Sequence, residues 1–398
     1  MKTRGLITAV LFTAFCTKCL AQQDSLLKAH TIFANDFEEP VIADYLKDKI
    51  SSSQFILLGE THGIVEVGEI TNSLYDMSQP FGYNTLVIET DPLAAEMLTE
   101  FLDSDDPLGQ ATKFENKYPW SIAFYNNRED YNLLTNVGKQ GGKLWGIDQT
   151  LMAGFRMAFW TLVENSDNPT LIELAKEELE RADSGYKEAV TSKNFMAAYI
   201  FQYSKEIHDS LLLAATEDWE RGLIADLWKT KEIYGYQFKG EYYWNNEIRG
   251  QLMKHNFMEY YKEAQTTETL PKAVFKLGYN HAGRGLTFTR IYDIGNMASE
   301  LANANGMRSL NILAAGITGF QNRSNPVETD KDSIAIERSK YIPDEILNLA
   351  EGSAKKYVVI KTEELRSQAS KFSDQVQNFL FKFDLIVLIK DATPLTKL

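Results

Sequence analysis

Short apolar runs rich in β-branched residues recur along this chain, and most are followed at once by glycine or polar residues. The runs are Phe55–Leu58, Thr85–Ile88, Lys143–Ile147, Ala273–Leu277, Leu310–Leu313, Tyr357–Ile360 and Leu385–Ile389. Stretches with helical periodicity separate most of them, and continuous apolar runs are typical of strands that are buried on both faces. The alternation predicts an α/β fold with a mostly parallel central sheet flanked by helices.

The pattern changes between Leu151 and Leu270, where no run predicts a strand. This segment favours consecutive helices, for example over Thr170–Asp183, Asn194–Thr216 and Trp244–Ala264. We expect it to be an insertion that packs as a helical cap over one end of the sheet. The chain from residue 22 to residue 398 is then predicted to be a single α/β domain, with the helical cap insertion at about 151–270.

The first 21 residues have the three parts of an export signal. Lys2 and Arg4 form a basic start, Gly5–Phe15 is an apolar run, and residues 19–21 end in the small residue that a signal peptidase requires. The apolar run is too short to span a membrane. We therefore expect a signal peptide over residues 1–21, no integral membrane span, and a mature protein that is periplasmic or extracellular.

A lipid anchor on Cys16 or Cys19 is the alternative to a cleaved signal. Phe15 and Lys18 stand directly before these cysteines and are unfavourable there, so we expect cleavage without lipidation. These are the only two cysteines in the sequence. The mature protein is therefore expected to have no disulfide, no thiolate metal site and no cysteine nucleophile.

The charge balance limits the possible partners. The sequence has 41 Lys and Arg against 55 Asp and Glu, for a net charge of −14. Removal of residues 1–21 would take away three basic residues and no acids, which changes the net charge to −17. Because an acidic surface repels phosphate backbones and anionic membranes, we predict a small-molecule substrate and no nucleic-acid partner.

Polar residues follow four of the apolar runs. Ligands of open α/β sheets usually bind just beyond the carboxyl ends of the strands. The segments at those positions are Gly59–Gly63, Glu89–Asp91, Asp148–Gln149 and Gly278–Arg284. Two of the chain's five histidines lie in them, each three residues after a glycine. We expect both histidines and the neighbouring carboxylates to share one acidic cleft.

These residue types are suited to general acid–base catalysis. His62 can act as a general base because an unperturbed imidazole has a pKa of about 6.5. Glu60, on the same side of the extended segment, can orient the imidazole or bind a metal. Glu89 and Asp148 add negative charge that stabilises an imidazolium or binds a cation. His281 can be a second base, a proton donor or a metal ligand.

Each candidate also has a structural interpretation. A histidine after a strand is often a turn residue, and Glu89 is close to a predicted helix N-terminus at Pro92. Asp148 can cap a helix that starts near Leu151. Arg284 is a permanent cation that can hold a substrate carboxylate or stabilise an oxyanion, and it can equally pair with a surface acid.

Several common catalytic motifs are absent from the sequence. It has no Gly-x-Ser-x-Gly elbow, no Walker loop, no dinucleotide-binding glycine pattern and no His-Glu-x-x-His helix. The sequence therefore argues against serine hydrolases of the nucleophile-elbow type and against nucleotide-binding proteins.

The motifs together resemble those of erythromycin esterase-like proteins. Leu58–Gly63, with Glu66 shortly after it, is similar to the Gly-Glu-x-x-His-Gly-type opening motif of that family. The agreement continues through Leu86–Glu89, Trp145–Asp148, the residues Arg249, Met253 and Asn256, and the last strand motif at Phe383–Val387. It runs from about Phe55 to the C-terminus and is weakest in the helical segment.

The resemblance implies a hydrolase that cleaves an ester or related acyl bond without a required cofactor. By this resemblance, His62 is the general base that activates water, and Glu60 and Glu89 support it. His281 is the second catalytic histidine. The remaining predicted site residues are assigned to substrate binding: Arg284, Arg249 and Asp148.

Two positions depart from the family pattern. Macrolide esterases carry a His-Asn-x-His sequence at the end of the fourth strand, and Gly278 stands at its first position if His281 is the second histidine. Thr71 stands where an arginine is common. These differences argue against hydrolysis of a macrolide and leave the predicted hydrolytic residues in place.

Two Gly-x-x-His motifs with an intervening glutamate also mark a wider superfamily, which includes haem-binding ChaN-like proteins and Tiki/TraB-type metalloproteases. Two alternatives therefore stay open at this point. One is a metal-dependent hydrolase or peptidase whose divalent metal is held by His62, His281, Glu60 and Glu89. The other is a protein that binds haem or another small ligand without turnover.

Overall fold

The computed structural model describes residues 23–322, 325–327 and 333–398 of the chain. The predicted signal peptide over residues 1–21 lies outside the described residues. The fold is α/β, as predicted, with a large sheet flanked by helices. Within the described ranges, no helix is both long enough and apolar enough to cross a membrane.

The central sheet has eight strands in the order β1-β9-β10-β6-β2-β5-β3-β4. Its strands are β1 (Thr31–Ala34), β2 (Ser53–Glu60), β3 (Thr85–Ile88), β4 (Lys143–Gly146), β5 (Ala273–Gly278), β6 (Arg308–Gly316), β9 (Tyr357–Ile360) and β10 (Leu385–Ile389). The short strands β7 (Phe320–Gln321) and β8 (Ile334–Ala335) form a separate antiparallel pair.

The sheet is mostly parallel. Every pairing from β10 through β6, β2, β5 and β3 to β4 is parallel. β9 is antiparallel to both β10 and β1, so only this part of the sheet departs from the predicted arrangement.

Six of the seven predicted apolar runs lie wholly in a strand, and the seventh, Lys143–Ile147, does so in all but its last residue. The pairing of β2 and β6 continues through polar residues, so these strands extend beyond their predicted runs to Ser53–Glu60 and Arg308–Gly316. β4 ends at Gly146 rather than at Ile147. β1 was not predicted, because it is a four-residue edge strand that is partly exposed and has no continuous apolar run.

Both faces of the central strands are buried. Ile56 and Leu58 of β2 belong to the hydrophobic cluster on one face of the sheet, and Phe55 and Leu57 belong to the cluster on the other. Successive side chains of a strand point to opposite faces. Helices on both faces therefore explain why the strands appear as continuous apolar runs in the sequence.

The helices, in chain order, flank the sheet or fill the segment between β4 and β5. They are α1 (residues 23–29), α2 (Pro40–Ser51), α3 (Val65–Ser78), α4 (Pro92–Leu102), α5 (Pro107–Lys117), α6 (Arg128–Lys139), α7 (Phe155–Asn165), α8 (Pro169–Ser192), α9 (Lys205–Ala214), α10 (Asp218–Phe238), α11 (Tyr242–Ala264), α12 (Tyr279–Ala282), α13 (Ile294–Ala304), α14 (Asp344–Glu351) and α15 (Asp374–Lys382). Short 3-10 helices lie at Gln79–Phe81, Met152–Gly154, Phe195–Ala197, Tyr199–Phe201 and Thr362–Lys371.

The segment between β4 and β5, all of whose residues are described, contains helices and no strand. A hydrophobic core of its own includes the buried side chains of Phe155, Phe159 and Leu227. The predicted helix over Asn194–Thr216 is wrong in its first half, where two 3-10 turns precede α9. α9 begins only after Ser204, whose side chain accepts a hydrogen bond from a backbone N–H in the first turn.

Helix α11 connects this helical segment to the sheet. The ring of Phe257 packs against Phe55 of β2 and Phe275 of β5, with centroid distances of 5.7 and 5.3 Å. This packing fixes the position of α11, and the helix carries Arg249 to the carboxyl ends of the strands.

Candidate functional site

The predicted site segments lie at the carboxyl ends of four strands that are adjacent in the sheet, in the order β2, β5, β3, β4. Glu60 is the last residue of β2, and Gly278 is the last residue of β5. Glu89 directly follows β3, and Asp148 follows β4 by two residues. Because these strands are parallel, their ends meet at one end of the sheet, where ligands of such sheets bind.

Glu89 lies between the two histidines. Its Oε2 is 3.9 Å from Nε2 of His62, and its Oε1 is 3.7 Å from Nε2 of His281. Oε1 also accepts a hydrogen bond of 2.8 Å from Nη2 of Arg249, and Oε2 accepts one from the backbone N–H of Gly278. The two imidazoles thus approach the same buried carboxylate from different sides.

Charge and hydrogen bonding keep Glu89 ionised. Burial by itself raises the pKa of this carboxyl, but the charges of His281, His62 and Arg249 and the Gly278 N–H outweigh it and lower the pKa to about 2. Asp91, rather than Glu89, caps α4 by accepting a 3.1 Å hydrogen bond from the N–H of Ala94. The side chain of Glu89 is therefore available to the two histidines.

Gly278 lies at a crowded point of the site. A Cβ atom at this position would lie 3.0 Å from Nε2 of His62 and 3.2 Å from Oε2 of Glu89. A larger residue would have to displace one of these side chains. The departure from the His-Asn-x-His pattern at Gly278 therefore agrees with the packing of His62.

His62 is held from two directions. Its Nδ1 is 2.9 Å from Oε1 of Glu60. Its ring stacks on that of Phe124, with centroids 4.2 Å apart and planes inclined by 14°. When Nδ1 carries a proton and donates it to Glu60, Nε2 is left as the acceptor of a neutral imidazole.

The surroundings of His62 raise its pKa above the ordinary value of 6.5. Burial acts to lower the pKa, but the hydrogen bond and charge of Glu60, with the charge of Glu89, outweigh it, while Lys276 acts in the lowering direction. Burial also acts to raise the pKa of Glu60, and the charges of Lys276 and His62 outweigh that effect, so its pKa is lowered. Glu60 therefore stabilises a protonated His62.

Two further charged residues, Lys276 and Asp130, lie next to Glu60. Nζ of Lys276, from β5, lies 2.9 Å from Oε1 of Glu60 and 3.2 Å from Oδ1 of Asp130, from α6. The lysine side chain is only 2% exposed. Lys276 and Asp130 were not predicted as site residues, because one lysine inside an apolar run and one acid on a helix form no motif.

His281 has a carboxylate partner of its own. Its Nδ1 is 2.7 Å from Oδ2 of Asp293. Burial lowers the pKa of His281, but the charge and hydrogen bond of Asp293 and the charge of Glu89 outweigh it, so the pKa is raised despite the nearby Arg249. Asp293 also caps α13 by accepting from the N–H of Ile294, and an N-cap position in the sequence gives no sign of this second contact.

Asp148 positions Arg249. The guanidinium donates from Nε to Oδ1 of Asp148 at 2.8 Å and from Nη2 to Oδ2 of the same carboxylate and to Glu89. Asp148 does not cap the 3-10 turn at Met152, whose N-cap is Leu151. Nη1 of Arg249 donates no hydrogen bond to a described residue, and Arg249 is among the residues that line the cleft.

The structure places Arg284 apart from the other predicted site residues. Its guanidinium donates to both oxygens of Asp384, with a 2.9 Å bond to Oδ1, and to the backbone oxygen of Ser309 at 2.7 Å. It is not among the residues that line the cleft. The expectation that Arg284 binds substrate is therefore not supported, and its ion pair with a carboxylate corresponds to the structural alternative.

The two histidines open onto a cleft of about 530 Å³. Its described lining is Glu60, Thr61, His62, Glu89, Arg249, Gly278, Tyr279, Asn280, His281, Gln321, Asn322, Asn325 and Ile334. Four of these side chains carry amides, and Ile334 is the one aliphatic side chain in this described set. The described lining is therefore rich in side chains that can hydrogen-bond a ligand.

The metal alternative depends on how the histidines and carboxylates are grouped. In the part of the chain that the structure describes, no group of three or more His, Cys, Asp or Glu side chains is placed to hold a metal ion. Both oxygens of Glu89 already accept hydrogen bonds. Nδ1 of each histidine is bound by a carboxylate, whereas the Nε2 atoms lie 3.9 and 3.7 Å from Glu89. The arrangement favours proton transfer between hydrogen-bonded groups.

Three solved structures share this fold. A Bacillus cereus protein has 14% identity and a TM-score of 0.58, with 95% of this chain and 99% of that chain covered. A histidine-to-asparagine mutant of the erythromycin esterase EreC, in its open conformation, has 13% identity and a TM-score of 0.57, with 92% and 98% covered. A succinoglycan biosynthesis protein has 14% identity and a TM-score of 0.59, with 95% and 98% covered.

The comparisons show the fold. No protein-family model matches the sequence, and no curated protein matches it. The structural neighbours cover 92–95% of the chain, and the architecture is an erythromycin esterase-like fold. This confirms the fold that the sequence motifs predicted.

Proposed function

We propose that this protein is a hydrolase that cleaves an ester or a related acyl bond, with His62 as the general base that activates water. The observation that carries the proposal is the approach of Nε2 of His62 and Nε2 of His281 to opposite oxygens of Glu89, within one cleft. The fold shared with an erythromycin esterase supports the reaction class.

His62 removes the proton from water in this mechanism. Glu60 accepts a hydrogen bond from Nδ1–H, which leaves Nε2 free to take a proton as the water oxygen attacks the carbonyl carbon. The imidazolium that forms is stabilised by the carboxylates of Glu60 and Glu89. General base catalysis of this kind contributes about 10²–10⁴-fold to the rate.

Two further groups complete the reaction. Nη1 of Arg249, held in place by Asp148, stabilises the negative charge that develops on the carbonyl oxygen. His281, whose raised pKa favours the imidazolium, donates a proton from Nε2 to the leaving oxygen as the carbon–oxygen bond breaks. The products are an acid and an alcohol, and no electron acceptor is needed.

The lining of the cleft favours a neutral, polar substrate. Four amide side chains provide hydrogen-bond donors and acceptors in the described lining. Arg249 is already paired with Asp148 and Glu89, so its charge is largely balanced before a substrate carboxylate could bind. We therefore propose an ester whose alcohol part carries hydroxyl groups, rather than a large apolar macrolide ring.

The proposal includes the location and organisation expected from the sequence. The N-terminal signal pattern supports export to the periplasm or the cell exterior. The chain from residue 22 onward would act as one α/β domain, and the helical segment at about 151–270 would cap the site and supply Arg249.

The test is a panel of esters, lactones and peptides, assayed with the purified protein before and after EDTA treatment. We expect hydrolysis of at least one ester at a rate that EDTA does not change. Activity that disappears with EDTA and returns with a divalent metal would support the metal-dependent alternative and contradict this mechanism. A haem absorption band on titration, with no turnover of any compound, would instead support a binding protein.

A further inference from the structure

A buried lysine stands behind the proposed catalytic base. Lys276 lies in β5, the strand between β2 and β3, and its ammonium group is enclosed by Glu60, Asp130 and Tyr125. Nζ is 5.4 Å from the centroid of the Tyr125 ring. A buried charge is costly unless it is paired and hydrogen-bonded. A lysine that only filled space in this sheet would be replaced at lower cost by an apolar residue.

The contacts connect Lys276 to His62 through a single atom. Oε1 of Glu60 is 2.9 Å from Nζ of Lys276 and 2.9 Å from Nδ1 of His62. The lysine and the imidazole therefore share one acceptor and compete for its charge. Asp130 binds the opposite side of the ammonium group at 3.2 Å and offsets part of its positive charge.

The charged groups around Oε1 of Glu60 determine which neighbours strengthen and which weaken proton binding by His62. Three charged side chains face His62: Glu60 from β2, Glu89 after β3 and Lys276 from β5. Asp130 and Tyr125 surround the lysine. His281 and Arg249 contact Glu89. Lys276 disfavours a proton on His62, and the carboxylates favour one. The charges of Asp130 and Glu60 raise the pKa of Lys276 above its ordinary value despite burial, so it stays charged.

We propose that Lys276 and Asp130 form a positioning pair that sets the orientation and the proton affinity of His62 through Glu60. The inference rests on the proposed function, because it assigns the pair to the residue that acts as the base. Lys276 and His62 both bind Oε1 of Glu60, so the lysine fixes the position of the atom that Nδ1 of His62 faces, and Nε2 is left toward Glu89 and the cleft. Asp130 weakens the pull of the lysine on Glu60, which keeps that carboxylate available to the imidazole.

This role differs from that of an ordinary buried ion pair. A pair that serves only stability would change the unfolding temperature when either partner is replaced, and it would leave the titration of His62 unchanged. A positioning pair predicts opposite effects of its two members. Loss of the lysine leaves Glu60 fully to His62 and strengthens proton binding, whereas loss of the Asp130 charge leaves Glu60 more tightly held by Lys276 and weakens it.

The experiment is an NMR titration of the His62 imidazole in Lys276→Met and Asp130→Asn, with His281 followed in the same spectra. We expect the His62 midpoint to rise in Lys276→Met and to fall in Asp130→Asn, each by about half a pH unit or more, with a smaller change at His281. Lys276→Arg keeps the charge and should return the midpoint toward the wild-type value. Unchanged midpoints, or shifts in the same direction, would overturn the proposal.

A second measurement covers the case in which Lys276→Met does not fold. Asp130→Asn keeps the shape of the aspartate, and Lys276→Arg keeps the charge of the lysine. The acid limb of the kcat/KM profile should move to lower pH in Asp130→Asn and stay in place in Lys276→Arg. The NMR titration needs no substrate. If His62 titrates in the variants as it does in the wild-type protein, this inference is overturned even when esters are hydrolysed. If the predicted shifts are seen but no ester is hydrolysed, only the proposed function is overturned.

Discussion

The ring of Phe124 lies flat against the imidazole of His62, with centroids 4.2 Å apart and planes inclined by only 14°. Phe124 adopts a backbone φ of 62°, a left-handed conformation that is uncommon for a bulky residue. Such strain persists only where the surrounding structure imposes it, and it is often found at functional sites. The stack fixes the plane of the imidazole while Glu60 fixes its Nδ1.

Substitutions of Phe124 distinguish the effect of the stack on catalysis from the effect of the strained backbone on stability. We expect Phe124→Ala and Phe124→Gly both to lower kcat by about tenfold, because the imidazole of His62 loses its planar support. Phe124→Gly should be more stable than Phe124→Ala by about 1 kcal/mol, since glycine tolerates a positive φ. Phe124→Tyr, which keeps the stack, is the control. Normal kcat in Phe124→Ala would show that the stack has no catalytic role.

Asp293 is predicted to act through His281. Asp293→Asn keeps an oxygen that can accept from the N–H of Ile294, so α13 should remain capped. The amide cannot stabilise an imidazolium as a carboxylate does, so we expect kcat to fall by roughly 10²-fold with little change in the unfolding temperature. Asp106→Asn, at the N-cap of α5, is a matched control that should leave kcat unchanged. Equal effects of the two substitutions would contradict the assignment.

The pH dependence follows from the raised pKa of His62. A protonated imidazole cannot accept a proton from water, so kcat/KM should fall as the pH falls through this pKa, with a midpoint above 6.5. Glu60→Gln removes the main group that raises the pKa and should move the midpoint to lower pH while it lowers the maximal rate. Steady-state kinetics between pH 5 and 9 measure both effects. A midpoint that does not move in Glu60→Gln would show that Glu60 does not affect the pKa of the group that titrates.

The polar lining of the cleft predicts which esters are good substrates. The acetate of the primary hydroxyl of methyl glucoside and cyclohexylmethyl acetate have rings and ester groups of similar size, and only the first carries further hydroxyls. We expect kcat/KM to be at least about tenfold higher for the sugar ester, because a site built to hydrogen-bond hydroxyl groups discriminates against compounds that lack them. Equal values, or a preference for the cyclohexyl compound, would show that hydroxyl recognition is not used.

The sheet could be predicted from the sequence largely because its strands are buried on both faces. The continuous apolar runs at Thr85–Ile88 and Leu385–Ile389 match β3 and β10 residue for residue. β1 was missed, since a short and partly exposed edge strand needs no such run. The helix boundaries around residue 200 depended on a cap at Ser204 and on extended backbone at Ala198, which the apolar pattern does not record.

The site was predictable as far as it lies at the ends of strands. Glu60, His62, Glu89 and His281 could be found because each lies within four residues of the end of a run that had to be a strand. Lys276, Asp130, Asp293 and Phe124 could not, because their roles depend on tertiary contacts between elements far apart in the sequence. For the same reason the sequence could not show that Arg284 would bind Asp384 instead of lining the cleft.

The most direct measurement is kcat/KM of His62→Ala on an ester that the wild-type protein hydrolyses, with and without added imidazole. His255→Ala, which removes an exposed histidine from α11, is the matched control. We predict that His62→Ala loses activity by about 10²-fold or more, that imidazole restores part of it, and that His255→Ala is normal. Wild-type activity in a folded His62→Ala protein would contradict the account.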